Sequence, residues 1–263
     1  MIDITAIDYS HLDLPEILMF LFHPRPEWGG SGGPGEDLLI PVEQDVSIGA
    51  RLHFHDAQAP TILFFHGNGE IVADYDDLGP LYVQNGINFL PVDYRGYGRS
   101  GGSPSVTAMM RDCHVIFDFV RDWLEKKGHS GPLVVMGRSL GSASALELAA
   151  HYEEAISGLI IESGFALAGP LLRLLGLDTE AMEFKEEAGF RNVDKIARYH
   201  KPTLVIHAQY DHIIPLSDGV ALFEASQARN KRFLEIKGAN HNDIFLRGLD
   251  PYMRAIKELM DKL

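Results

Sequence analysis

The sequence predicts one α/β domain built on a doubly wound, mostly parallel sheet with helices on both faces. Three observations carry that expectation. Short apolar runs, "TILFFHG", "INFLPVDYRG", "PLVVMGRS", "GLIIESG", "PTLVIHAQYD" and "RFLEIKGANH", alternate with longer stretches of helical spacing; a sheet covered on both sides needs strands of this near-continuous apolar kind. The 263 residues are 46% hydrophobic and 23% charged, ordinary values for a compact protein. At this length a single domain hides roughly three quarters of the surface its unfolded chain exposes, so the core needs no staples. None is on offer within the chain, because Cys113 is the only cysteine.

Residues 1–38 read as an N-terminal extension. Its stretch "MIDITAIDYSHLDLPEILMFLFHPRP" carries acids instead of a basic leader, and Asp13, Pro15 and Glu16 interrupt its apolar part. That pattern speaks against a signal peptide or a membrane span and for a cytoplasmic protein. A glycine-rich connector, "EWGGSGGPGED", comes next. "DLLIPVEQDVSIGARLHFHD" alternates in places and suits antiparallel strands at the leading edge of the sheet. His53 and His55 face the same way in such a strand; with no further ligand nearby they read as solvent-facing residues, and no metal is expected. In "DYRGYGRSGG", Gly96, Gly98, Gly101 and Gly102 allow a tight loop that Asp93, Arg95 and Arg99 can tie by ion pairs. Cys113 falls within "MMRDCHVIFDFVRDWL", whose helical spacing gives it a buried position. The rhythm breaks over residues 165–193, where the apolar "FALAGPLLRLLGLD" and the more polar "TEAMEFKEEAGF" form either a small lid or a helix packed on the sheet.

Lysine and arginine number 23 against 37 aspartates and glutamates, a formal net charge of -14. A phosphate backbone is repelled by that balance, which sets nucleic acid aside as a partner.

The chemistry gathers at strand ends, as it does in doubly wound sheets. In "GRSLGS" a serine sits where a strand gives way to a helix, and Gly137 and Gly141 remove the side chains that so sharp a turn would drive together. Ser139 is thereby raised at the strand tip. A hydroxyl needs a base to become a nucleophile, and of twelve histidines His241 is the strongest candidate, in the turn "GANHND" after the last strand run. The base in turn needs an acid on its other nitrogen. Asp211, just past "LVIHAQY", supplies it in the order serine, aspartate, histidine expected of one sheet. Glu162 is the competing acid, while Asp243 lies too near His241 in sequence to reach behind its ring. His207 and His212 read as packing or loop residues. For the developing oxyanion the expected donors are the backbone N–H groups of Leu140 and of Asn68 in "HGNGE", with Gly69 as the alternate for the latter.

At these residues the chain resembles the alpha/beta-hydrolase superfamily, from about residue 40 to its end, through "HGNGE", "DYRGYGRSGG", "GRSLG", "QYDHIIP" and "GANHN" in family order. The resemblance implies an alpha/beta-hydrolase fold with a small insertion after the strand that follows the nucleophile helix, and it points to the small serine esterases and acyl-thioesterases. It assigns nucleophile, acid and base to Ser139, Asp211 and His241, and the oxyanion donors to Asn68 and Leu140. Ala239 and Asn240 depart mildly from the usual turn before the base. Haloalkane dehalogenases and epoxide hydrolases of this fold carry an aspartate where Ser139 stands, which sets those reactions aside.

The expected activity is hydrolysis of a small-molecule ester or thioester through an acyl-enzyme, with no cofactor. Two alternatives accompany it. Acids in "GEIVADYDD" could hold a substrate ammonium, as an aminopeptidase-like serine peptidase requires, and the fold could serve binding without turnover. Leu167, Leu171, Leu172, Leu174, Leu175 and Leu177, if they overhang the site, favour an apolar acyl group.

Overall fold

Each apolar run becomes a strand because its β-branched and aromatic side chains find a covering layer above and below. The structure, a computed structural model, describes residues 6–28 and 33–263, so the first residues and the centre of the glycine-rich connector lie outside the described residues. The strands are β1 (Glu36–Glu43), β2 (Val46–Leu52), β3 (Thr61–Phe65), β4 (Asn88–Val92), β5 (Leu133–Arg138), β6 (Gly158–Glu162), β7 (Thr203–Ala208) and β8 (Lys231–Ile236). They form one sheet in the order β1-β2-β4-β3-β5-β6-β7-β8. From β4 to β8 all pairs are parallel, whereas β1 and β2 pair antiparallel at the leading edge. The chain steps outward from β3 to β4 and then returns past β3 to β5, so the winding reverses between β3 and β5. Strand ends at such a reversal leave a crevice open to ligands.

Alternation along the strands sorts the core into two layers. Leu63, Phe65, Val135, Ile161 and Val205 point to one face, and Ile62, Phe64, Val134, Met136, Ile160 and Ile206 to the other. The first face is covered by α1 (Pro15–Leu21), and the second receives α2 (Gly79–Gln84). The long α3 (Val106–Lys126) returns to the first face, joined there by α4 (Gly141–His151) and, beyond β6, by α5 (Ala168–Leu174), α6 (Asn192–Ile196) and α7 (Leu216–Ala225). The final helix, α8 (Ile244–Met260), packs on the second. In α3 the buried positions 106, 109, 110, 113, 116, 117, 120 and 124 recur at helical spacing, and the Ser105 hydroxyl caps the first turn through the Ala108 N–H at 3.1 Å. Cys113 is buried on that stripe. In α4 small residues bury nearly the whole helix against its neighbours.

His53 departs from the expectation of solvent exposure. Regular strand pairing of β2 stops at Leu52, and the chain bridges to Phe89, which turns the His53 ring inward to 1% exposure; His55 alone stays exposed.

One buried ion pair ties three elements together. Lys195 Nζ of α6 lies 2.6 Å from the Glu147 carboxylate of α4, and the Tyr9 hydroxyl donates to the same carboxylate at 2.7 Å. Burial pushes the Glu147 carboxyl up, but the hydrogen bond from His114 and the charge of Lys195 outweigh it and hold the group at about 2. Lys195→Met removes the cation and leaves the buried Glu147 carboxylate without its ammonium partner. It is expected to cost about 3–5 kcal/mol of stability, read as a lower denaturant midpoint at unchanged slope.

Candidate active site

The serine at the tip of β5 is held in a conformation that few side chains accept. Ser139 has φ of +50°, a left-handed geometry costing about 1–3 kcal/mol for a non-glycine residue. Close backbone approach on either side enforces it. A Cβ on residue 137 would sit 2.3 Å from the Gly141 carbonyl oxygen, and one on residue 141 would sit 2.1 Å from that of Phe65. Glycine is the one residue type that fits either position. The Ser139 N–H donates to the Glu162 carbonyl at 2.9 Å, and the Ser142 hydroxyl donates to the Ser139 carbonyl at 2.6 Å. With its backbone fixed at both ends, the residue projects only its hydroxyl.

Three residues far apart in the chain meet there. His241 Nε2 lies 3.1 Å from Ser139 Oγ, and His241 Nδ1 lies 2.7 Å from Asp211 Oδ2. A carboxylate only accepts, so Nδ1 carries the proton and Nε2 presents a lone pair to the hydroxyl. The second Asp211 oxygen accepts the N–H groups of Ile213 and Ile214 at 3.0 and 2.8 Å, which locks the carboxylate. Burial works to raise the Asp211 carboxyl, yet the hydrogen bond from His241 and those backbone donors hold it below its ordinary value. It is ionised at neutral pH.

The competing residues are engaged elsewhere. Glu162 accepts Arg138 and the Tyr252 hydroxyl. Asp243 accepts the Asn240 N–H at 2.6 Å and helps shape the turn that carries His241. His207 donates to the Ile214 carbonyl at 2.9 Å, and burial pulls its pKa below the ordinary imidazole value. His212 is exposed.

Asn68 and Leu140 line one cavity with Ser139, and neither backbone N–H has an acceptor among the described residues. The Asn68 side chain does something the sequence did not suggest. Its Oδ1 accepts the His23 N–H at 2.7 Å and the Tyr97 hydroxyl at 2.8 Å, while Nδ2 donates to the Phe20 carbonyl at 3.4 Å. The N-terminal segment is thereby clamped onto the loop after β3, and Phe20 and Leu21 become walls of the cavity. No motif marks those residues; the apolar spacing of "EILMFLF" is their only trace in the sequence.

That cavity, of about 60 Å³, is closed on its other sides by Leu140, Leu171, Leu175, Ile213 and Ile214. A neighbouring cavity of about 80 Å³ shares Leu171, Ile213 and Ile214 and extends between Phe165, Pro170, Leu174, Pro215 and the Asp218 carboxyl. The leucines of the insertion thus divide. Leu172 enters the core, Leu171, Leu174 and Leu175 face the cavities, Leu177 packs partly buried at the edge of the core, and Leu167 stays largely exposed.

Of the four acids in "GEIVADYDD", Glu70 is paired with Arg138, Asp74 with Arg25, and Asp76 with Arg51, while Asp77 is exposed. One group among the described residues has metal-ligand spacing, His114, Glu147 and His151, whose ligand atoms lie within 4.8 Å of one another. Its carboxylate already answers Lys195 and Tyr9, which makes it the ion-pair centre described above. No helix among the described residues is long and apolar enough to cross a membrane.

Residues 56–180 match the family described as "Serine aminopeptidase, S33". The human alpha/beta hydrolase domain-containing protein 17B is 32% identical over 212 residues, covering 77% of this chain; the chain spans 66% of that relative, just under two thirds of its length. Est1E from Butyrivibrio proteoclasticus, solved with ferulic acid bound, superposes with a TM-score of 0.70 at 21% identity, covering 86% of this chain and 98% of its own. The Pyrococcus furiosus esterase Pf2001 superposes with a TM-score of 0.72 at 16% identity, covering 91% and 98%. At those identities the two solved structures speak for the fold alone.

Proposed function

The chain belongs to the alpha/beta-hydrolase superfamily, and on that footing we propose that it is a serine hydrolase cleaving carboxylic esters or thioesters through an acyl-enzyme on Ser139. The observation that carries the reading is the unbroken Asp211–His241–Ser139 relay opening into an apolar cavity. Ser139 Oγ adds to the substrate carbonyl while His241 Nε2 takes its proton. The tetrahedral oxyanion sits between the N–H groups of Asn68 and Leu140, and His241⁺ returns its proton to the departing alcohol or thiol. Water, deprotonated by His241, then releases the acid and restores Ser139. A fluorophosphonate probe should label the wild-type protein at Ser139, and a short p-nitrophenyl ester should be hydrolysed. Absence of both in folded protein would return the fold to a binding role.

Ester and thioester substrates are favoured over peptides with a free N-terminus. An ammonium needs an uncommitted carboxylate beside the oxyanion loop; Glu70, Asp74 and Asp76 are each held by an arginine, and the exposed Asp77 lines neither cavity.

Residues 165–193 act in this reading as a small lid on a single domain, with the N-terminal extension as the opposite wall. Leu171 stands between the two cavities. Trimming it with Leu171→Ala joins them, so preference shifts toward longer acyl chains. Each methylene that gains burial is worth about 0.8 kcal/mol, or about fourfold in kcat/KM. The check is kcat/KM across p-nitrophenyl esters of rising chain length; an identical profile in variant and wild type removes Leu171 from the acyl path.

A further inference from the structure

Arg138, the residue before the nucleophile, is 5% exposed and spends its guanidinium on three different segments. Its Nε donates to Glu70 Oε1 at 2.8 Å, Nη1 to Glu162 Oε1 at 2.5 Å, and Nη2 to the backbone carbonyl of His241 at 2.8 Å. Glu70 passes the connection on: its Oε2 accepts the Gly67 N–H at 2.7 Å and the Tyr75 hydroxyl at 2.6 Å. Gly67 directly precedes Asn68. Glu162 completes its own set with the Tyr252 hydroxyl of α8 at 2.6 Å. One planar cation therefore fixes the turn carrying the base and, through one carboxylate, the loop carrying an oxyanion donor.

We propose that Arg138 is a positioning residue that holds His241 and the Gly67–Asn68 loop in register with Ser139. This inference rests on the hydrolase reading for its kinetic consequence, though not for its electrostatic one. A fork of fixed geometry suits the task, because a lysine ammonium brings the same charge without the planar set of donors. Misplacing reacting groups by about 1 Å costs on the order of 100-fold in rate, and neither cavity wall includes Arg138, so substrate affinity should be spared.

The cluster is also a charge device. One guanidinium lies between two carboxylates, with Tyr75 and Tyr252 kept neutral by burial and by those carboxylates. The other charged or titratable groups around the imidazole are Asp211 and His207 from the β7 side, and Asp243 with Arg247 on the following turn. Removing the cation leaves an extra negative charge beside His241 and favours its imidazolium; removing one carboxylate does the opposite.

The test compares Arg138→Lys, Arg138→Met and Glu70→Gln with wild type in the full chain. Ester kinetics are read together with an NMR titration of the His241 ring. Arg138→Lys is expected to lower kcat about 100-fold with KM nearly unchanged. The His241 titration should move to higher pH in Arg138→Met and to lower pH in Glu70→Gln, a reversal that a purely structural role cannot produce. If the arginine variants fail to fold, Glu70→Gln alone decides, through the downward shift and a loss in kcat. Unchanged kcat in Arg138→Lys, or His241 midpoints that ignore the sign of the charge removed, overturns the proposal. Wild-type protein inert to esters defeats instead the hydrolase reading, and the NMR shifts still judge Arg138.

Discussion

Ser139→Ala is expected to lower kcat on a short p-nitrophenyl ester by on the order of 10⁶-fold, the scale on which a lone nucleophile loss acts. Among the described residues near the site, no second hydroxyl is free to stand in. Ser142 Oγ is committed to the Ser139 carbonyl, and Ser163 is fully buried beyond the end of β6. What remains should be roughly 10³–10⁴-fold over the uncatalysed reaction, supplied by the oxyanion donors and by binding. Stability should barely move, because alanine meets the same strain at φ of +50° that serine already bears. The measurement is paired: turnover by absorbance and fluorophosphonate labelling by mass spectrometry. A folded Ser139→Ala protein that keeps its rate, or labels elsewhere at wild-type speed, would falsify the assignment of the nucleophile.

The features legible in the sequence are those whose physical cause is local. Strands declare themselves by apolar runs, and the elbow by the two glycines that its own turn demands at 137 and 141. The relay was readable because its three members each follow a strand run, so the sheet supplies the convergence that the chain itself does not display. Arg138 was not readable. Its partners Glu70, Glu162 and the His241 carbonyl lie 68, 24 and 103 positions away, and a charged residue at a strand end looks like an ordinary surface residue until those contacts exist. The same reason hides Lys195, which sits in the polar-looking "RNVDKIARYH" and is fully buried because Glu147 and Tyr9 meet it there. The N-terminal segment shows only an interrupted apolar stretch in the sequence; its place beside Ser139 depends on the Asn68 side chain. His53 departs from its expected exposure for a similar reason, since alternation predicts a face only while strand pairing lasts, and regular pairing ends one residue earlier.

Asp211→Asn should reduce kcat by about 10⁴-fold while leaving KM and the fold nearly intact. The argument is one of hydrogen-bond accounting. Oδ1 of Asp211 accepts from the Ile213 and Ile214 N–H groups, so the amide of the variant must keep its carbonyl there and turn its NH₂ toward His241 Nδ1. The imidazole then offers Nδ1 as acceptor and moves its proton to Nε2, where it faces Ser139 Oγ without a lone pair to take the serine proton. The site remains assembled in the wrong tautomer. Since the Asp211 carboxyl is held below its ordinary value, it is ionised at neutral pH, where wild type and variant are compared. Kinetics of Asp211→Asn measured at neutral pH decide the matter. A loss smaller than tenfold means another acid orients the base, and Glu162 could take that part only by giving up Arg138 or Tyr252, so that a paired Glu162→Gln variant would then have to be the inactive one.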